Sequence, residues 1–141
     1  MMSNANIREL CDIKNDVKII LSNKLSISQS KLLFMGITYE IILRKDLFPK
    51  NSNLKLFINN VYFKQFKNKE TFRDYLFASR TILGARLLRK IKNELDYDNI
   101  IIIVKSLLQL LPEDSLDKNY GGRFKKNEIN EWMKFIGERN D

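Results

Sequence analysis

The chain has 141 residues, 25 of them Lys or Arg and 17 Asp or Glu, with no histidine and a single cysteine, so its formal net charge is +8. A chain this short defaults to one domain, and 44% apolar with 11% aromatic residues can build a core, which argues against wholesale disorder. The absence of histidine excludes Ser-His-Asp and Cys-His arrangements, His-based zinc sites and an imidazole base, while Cys11 alone cannot make a Cys-only zinc site, an Fe–S cluster or an intrachain disulfide.

From Asn6 to Leu21, the residues Ile7, Leu10, Ile13, Val17, Ile20 and Leu21 share one arc of a helix, with Arg8, Asp12, Asn15 and Asp16 largely opposite. Cys11 falls on or beside the apolar arc, where a buried free thiol is the ordinary outcome. Ser26 or Ser28 caps the next segment, and residues 29–45 are apolar nearly all round when helical, as expected for the central helix of a bundle. The piece 37–43 (ITYEIIL) is rich in β-branched and aromatic residues and keeps a strand open as the alternative, with helix favoured by the length of the apolar run. An outline of a helix-turn-helix over Ser26–Arg44 is set aside, because its second helix is too hydrophobic to lie exposed in a groove.

After Pro49, Asn51, Ser52 and Asn53 offer an N-cap, and Leu54, Phe57, Ile58 and Val61 predict a short helix over about 53–60. Residues 62–69 alternate aromatic and basic groups, and Asn68 then caps an expected long helix from Lys69 to about Leu95. In that helix Phe72, Leu76, Leu83 and Leu87 form one stripe and Phe77, Leu88, Ile91 and Leu95 a second, with Arg73 and Arg80 between them. Gly84 falls in the second stripe, where a missing side chain permits close helix approach or a bend.

Asp96 to Asn99 make a turn and an N-cap before residues 100–111 (IIIIVKSLLQLL), which read as a buried helix, although the β-branched run 100–104 keeps a strand open. Residues 113–126 are polar and loop-like, and Ile129, Trp132, Met133 and Ile136 predict a last helix that Gly137 stops. The expected fold is all-α: a compact single-domain bundle of five or six helices spanning residues 1–141, with one long basic helix near residues 69–95. No apolar run reaches the roughly 18 residues of a membrane span, and the first residues lack a signal-peptide pattern, so the expectation is a soluble, cytoplasmic protein without a membrane role.

The charge is held in one place. Residues 41–92 contain thirteen basic and three acidic groups, whereas residues 93–117 contain one basic and six acidic groups. A positive island of this density attracts anionic polymers, and nucleic acid is the commonest of them. Lysine-rich codon usage accounts for part of the island, but not for Arg73, Arg80, Arg86 and Arg89, half of the eight arginines within seventeen positions.

In residues 62–69, Lys64, Lys67 and Lys69 suit phosphates, and Tyr62 and Phe66 suit stacking on unpaired bases; the alternative is that Phe63 and Phe66 anchor the segment in the core. Arg73 and Arg80 either aim a planar guanidinium at a phosphate or pair internally with Glu40, Asp74 or Glu94. Arg86, Arg89, Lys90 and Lys92 leave the same helix by several faces, as where a helix end crosses a phosphate backbone. The loop Tyr120-Gly121-Gly122-Arg123-Phe124-Lys125-Lys126 repeats the aromatic-basic pattern around two glycines, with Tyr120 as a stacking candidate and Arg123, Lys125 and Lys126 as phosphate contacts; it does not match a P-loop. The acidic residues at 94–98 and 113–117 lie at helix ends without two-metal spacing.

The function this supports is a non-catalytic nucleic-acid-binding protein that contacts DNA or RNA phosphates with little sequence specificity, needing no metal or cofactor. The alternative is a protein-interaction subunit or inhibitor-like adaptor, whose basic middle meets an acidic partner or the 93–117 stretch of a second copy head-to-tail, with an exposed apolar patch around Trp132 and Phe135 as its sign.

Overall fold

A computed structural model describes residues 8–111. They form five α-helices, α1 (Leu10–Leu21), α2 (Ile27–Leu43), α3 (Asn51–Phe57), α4 (Arg80–Glu94) and α5 (Tyr97–Leu110), and no strand. The all-α expectation holds, and both segments that kept a strand open, 37–43 and 100–104, are helical. The expected last helix and the 120–126 loop lie outside the described residues.

Most of the helices start where a side chain satisfies the open N–H groups of the first turn. At α2 the Ser26 Oγ accepts from Gln29 N–H at 3.1 Å while the Gln29 Oε1 accepts from Ser26 N–H at 3.0 Å. Asp96 and Asn99 make the same reciprocal pair at α5, and Glu9 and Asp12 at α1. The Ser79 hydroxyl caps α4.

α2 is the central helix, packing against α1, α4 and α5, while α1 also packs along α5. The core that results is aliphatic where the four long helices meet, with Ile13, Ile20, Ile41, Leu87, Ile91 and Leu107 all fully buried. At the α2–α4 crossing Gly84 has a packing reason: a Cβ there would overlap the Tyr39 ring, so the missing side chain lets the two helices approach.

The short helix α3 does not end cleanly. It widens into a π-turn over Ile58–Tyr62 and then tightens into a 3-10 turn over Phe63–Gln65. One face of a regular α-helix cannot bury three consecutive residues, and this change of winding does so for Val61, Tyr62 and Phe63. Tyr62 stacks on Phe34 at 5.9 Å and meets Phe57 edge-on at 5.8 Å, and its hydroxyl lies 2.7 Å from Thr38 Oγ1.

The long helix expected from Lys69 starts instead at Arg80. Asn68 does not cap a helix; its side chain accepts from Glu70 N–H at 2.9 Å in a local turn, and its own N–H donates to Glu94 Oε1 at 3.1 Å. Phe66 and Phe72 both pack edge-on against Phe63, at 5.0 and 5.1 Å, so residues 66–73 turn back along α4. A 3-10 turn over Asp74–Ala78 then buries Leu76 and Phe77 before Ser79 starts the helix. No helix among the described residues is long and apolar enough to cross a membrane.

Candidate nucleic-acid interface

α4 buries Leu83, Gly84, Leu87 and Ile91 and turns Arg86 and Arg89 outward. Residues 82, 86, 90 and 94 form one row at four-residue spacing, and the returning 66–73 segment lies against the Lys90–Glu94 end of that row. Arg86 stands one turn before Lys90 on the row, next to Arg89. Lys64, Lys67, Lys69 and Arg73 on the neighbouring segment are all exposed. Among the described residues no carboxylate pairs with Arg73, Arg86 or Arg89. Lys69 is partly engaged, donating from Nζ to the Lys64 carbonyl at 2.7 Å.

Four of the expected contacts belong to the scaffold instead. Arg80 is 9% exposed, and its guanidinium donates to Asn51 Oδ1 at 2.9 Å and to the carbonyls of Ile42 at 3.2 Å, Arg44 at 3.5 Å and Phe48. The partner is therefore neither a phosphate nor a carboxylate. It is the carbonyl-rich end of α2, where the helix dipole concentrates negative charge, together with the turn that follows. Burial lowers the Arg80 pKa, while the carbonyls supply acceptors for a group that cannot shed its charge inside a protein.

Lys90 is half-buried. Its Nζ lies 2.7 Å from Glu94 Oε2 and sits over the Phe66 and Phe63 rings at 4.8 and 5.6 Å, so its charge is engaged within the fold. Tyr62 and Phe66, read as stacking rings, are each 1% exposed. Both are core residues, because the aromatic run at 62–72 packs on itself and on Phe34 and Phe57 rather than facing solvent. The alternative weighed from sequence, that Phe63 and Phe66 anchor the segment, is the observed one.

Glu94 ties the site together. Burial opposes its charge, but the hydrogen bond from Lys90 and those from the backbone N–H groups of Asn68 and Lys67 outweigh that and hold its pKa below the usual carboxylate range. Asp74 pairs with Lys55 at 2.6 Å and with neither Arg73 nor Arg80. The remaining acidic residues at 94–98 serve the helix ends, Asp96 as the cap of α5 and Asp98 in its first turn. No cluster that could hold a metal occurs among the described residues. A surface hollow of about 400 Å³ lined by Leu21, Tyr97, Asp98, Ile101, Ile102 and Lys105 offers one carboxylate and one amine.

Two exposed residues of this surface escaped the sequence reading. Tyr75 is 63% exposed in the turn beside Arg73, and Ile82 is 52% exposed in the first turn of α4. Both lie off the two apolar stripes of the expected 69–95 helix, a position the sequence pattern already offered and the reading did not use. Tyr120, Arg123, Lys125 and Lys126 lie outside the described residues. No family model, curated protein or solved structure matches this chain.

Proposed function

We propose that this protein binds nucleic acid without catalysis, through phosphate contacts made by Arg73, Arg86 and Arg89 with Lys64, Lys67 and Lys69 around them. The observation that carries the reading is the group of exposed arginines, Arg73, Arg86 and Arg89, with which no carboxylate among the described residues pairs, whereas Arg44, Lys55, Arg80 and Lys90 are engaged within the fold. Guanidinium groups in the open suit bidentate phosphate recognition. With Tyr62 and Phe66 in the core, Tyr75 is an exposed ring among the described residues that could stack on a base. Binding through phosphates alone follows charge density, which is higher on duplex than on single strands. Weak dependence on sequence goes with that, since phosphate contacts position without specifying.

The test is a salt titration of binding to labelled duplex DNA, single-stranded DNA and RNA of one length. Tight low-salt binding with a linear fall of log affinity against log salt is the expected result. Arg86→Ala with Arg89→Ala lowers the slope by about 1–2, at roughly 0.9 per lost phosphate contact, while the circular dichroism spectrum stays unchanged. Absence of binding at low salt, or an unchanged slope in the double variant, removes α4 from the reading.

A further inference from the structure

We propose that the nucleic acid bound at this surface is single-stranded, with one unpaired base stacked on the Tyr75 ring beside Ile82. The inference rests on the phosphate-binding reading above and names its ligand more closely.

This chain otherwise keeps its rings out of water. Among the described residues every aromatic side chain other than Tyr75 is buried or half-buried, whereas Tyr75 is 63% exposed. Local winding puts it there. In the 3-10 turn over Asp74–Ala78 residues three apart share an edge, so Tyr75 and Ala78 stand together on the outside while Leu76 and Phe77 turn into the core. Tyrosines with a structural task look different: the Tyr62 hydroxyl bonds to Thr38, and the Tyr39 ring packs at Gly84. Tyr75 has neither a hydrogen bond to its hydroxyl nor a ring contact among the described residues.

Following the backbone from the turn into α4, Tyr75 and the exposed Ile82 lie between Arg73 and Arg86, with which no carboxylate among the described residues pairs. Asp74, next to the ring, is paired with Lys55 at 2.6 Å, and the first turn of α4 carries no acidic residue. The corner is therefore an apolar centre edged by positive charge, and that combination selects its occupant. The guanidinium groups call for a polyanion, and the ring calls for a flat apolar face. In a duplex the base faces are covered by their neighbours, so only phosphates come within reach. An unpaired strand offers both, and because every base has a π-face the contact tolerates any sequence. Phosphate contacts alone favour the duplex, with its higher charge density, whereas a stacked base stabilises only the complex with the unpaired strand.

The test is fluorescence anisotropy of the full chain with a labelled DNA single strand, an RNA single strand of the same sequence and the DNA duplex. Tyr75→Ala is expected to weaken binding to both single strands about tenfold, the loss of one stacked base, and to leave duplex affinity within about twofold. Its salt slope stays that of the parent, since no phosphate contact is lost. Tyr75→Phe, which keeps the ring, stays within about twofold on every ligand, and a strand with abasic sites in place of its bases binds equally to the parent and to Tyr75→Ala. The circular dichroism spectra remain unchanged, as the position is already in solvent. Equal single-strand binding by the parent and Tyr75→Ala, while Arg86→Ala with Arg89→Ala still lowers the salt slope, overturns the base contact and leaves the phosphate reading standing. An equal loss on single strand and duplex, or a loss in Tyr75→Phe, overturns it as well. Absence of binding to all three nucleic acids at low salt removes the phosphate reading and this inference with it.

Discussion

Arg80 illustrates how little a side chain's chemistry says until its acceptors are known. From the sequence it is one of four clustered arginines, equal to Arg86 six residues on. In the fold it reaches three backbone carbonyls and Asn51, joining the end of α2, the turn after it and the start of α4. Carbonyls leave no mark in a sequence, which is why neither a phosphate nor Glu40, Asp74 or Glu94 was the partner. Removing a buried charged donor leaves those acceptors dry and unpaired. Arg80→Ala is expected to cost on the order of 3 kcal/mol, measured by urea denaturation, and Arg80→Lys restores little because an ammonium cannot span the acceptors. Nucleic-acid affinity per folded molecule should not change. A loss of affinity with stability intact would return Arg80 to the binding surface.

At the scale of elements, the sequence located α1, α2 and α5 within a few residues, α1 from its apolar arc and α2 and α5 from a capping residue followed by a long apolar run. Ser26 with Gln29 and Asp96 with Asn99 are reciprocal caps readable from spacing alone. The reading failed between 58 and 79, where aromatic packing decides the path. Phe63, Phe66 and Phe72 fall at helix-like intervals, but their rings satisfy one another edge-on across a loop, and a repeat of apolar residues cannot distinguish the two. Glu94 holds that loop through the backbone of Asn68. Its pKa is lower folded than unfolded, so its stabilisation is fully present above the ordinary glutamate value and fades as pH falls through the depressed one. Hydrogen exchange of Asn68 and Glu70 amides, corrected for intrinsic rates, should show the 66–73 loop opening as pH falls from about 5 to 3. Glu94→Ala should bring the same opening to neutral pH at a cost of about 1 kcal/mol, while protection that does not differ between the two proteins would assign the loop's order to the aromatic rings alone.

At the scale of the whole molecule, the basic island is real in sequence but divided in space. Arg80 and Lys90 are built into the fold, and Arg73, Arg86 and Arg89 stand outside it, a division that burial makes and composition cannot. The outward pair is set among other cations and pairs with no carboxylate among the described residues, so it repels its neighbours and lowers stability slightly. Arg86→Gln with Arg89→Gln should therefore raise the melting temperature by about 1–2 °C in low salt, and the gain should vanish near 0.3 M salt, where the Debye length falls to roughly 6 Å. The same variant should bind nucleic acid more weakly at every salt concentration tested. Charges that cost stability and carry binding belong to a surface kept for a ligand. A fall in melting temperature that persists at high salt would show instead that these arginines pack against the fold, and the exposed arginines would lose their meaning as an interface.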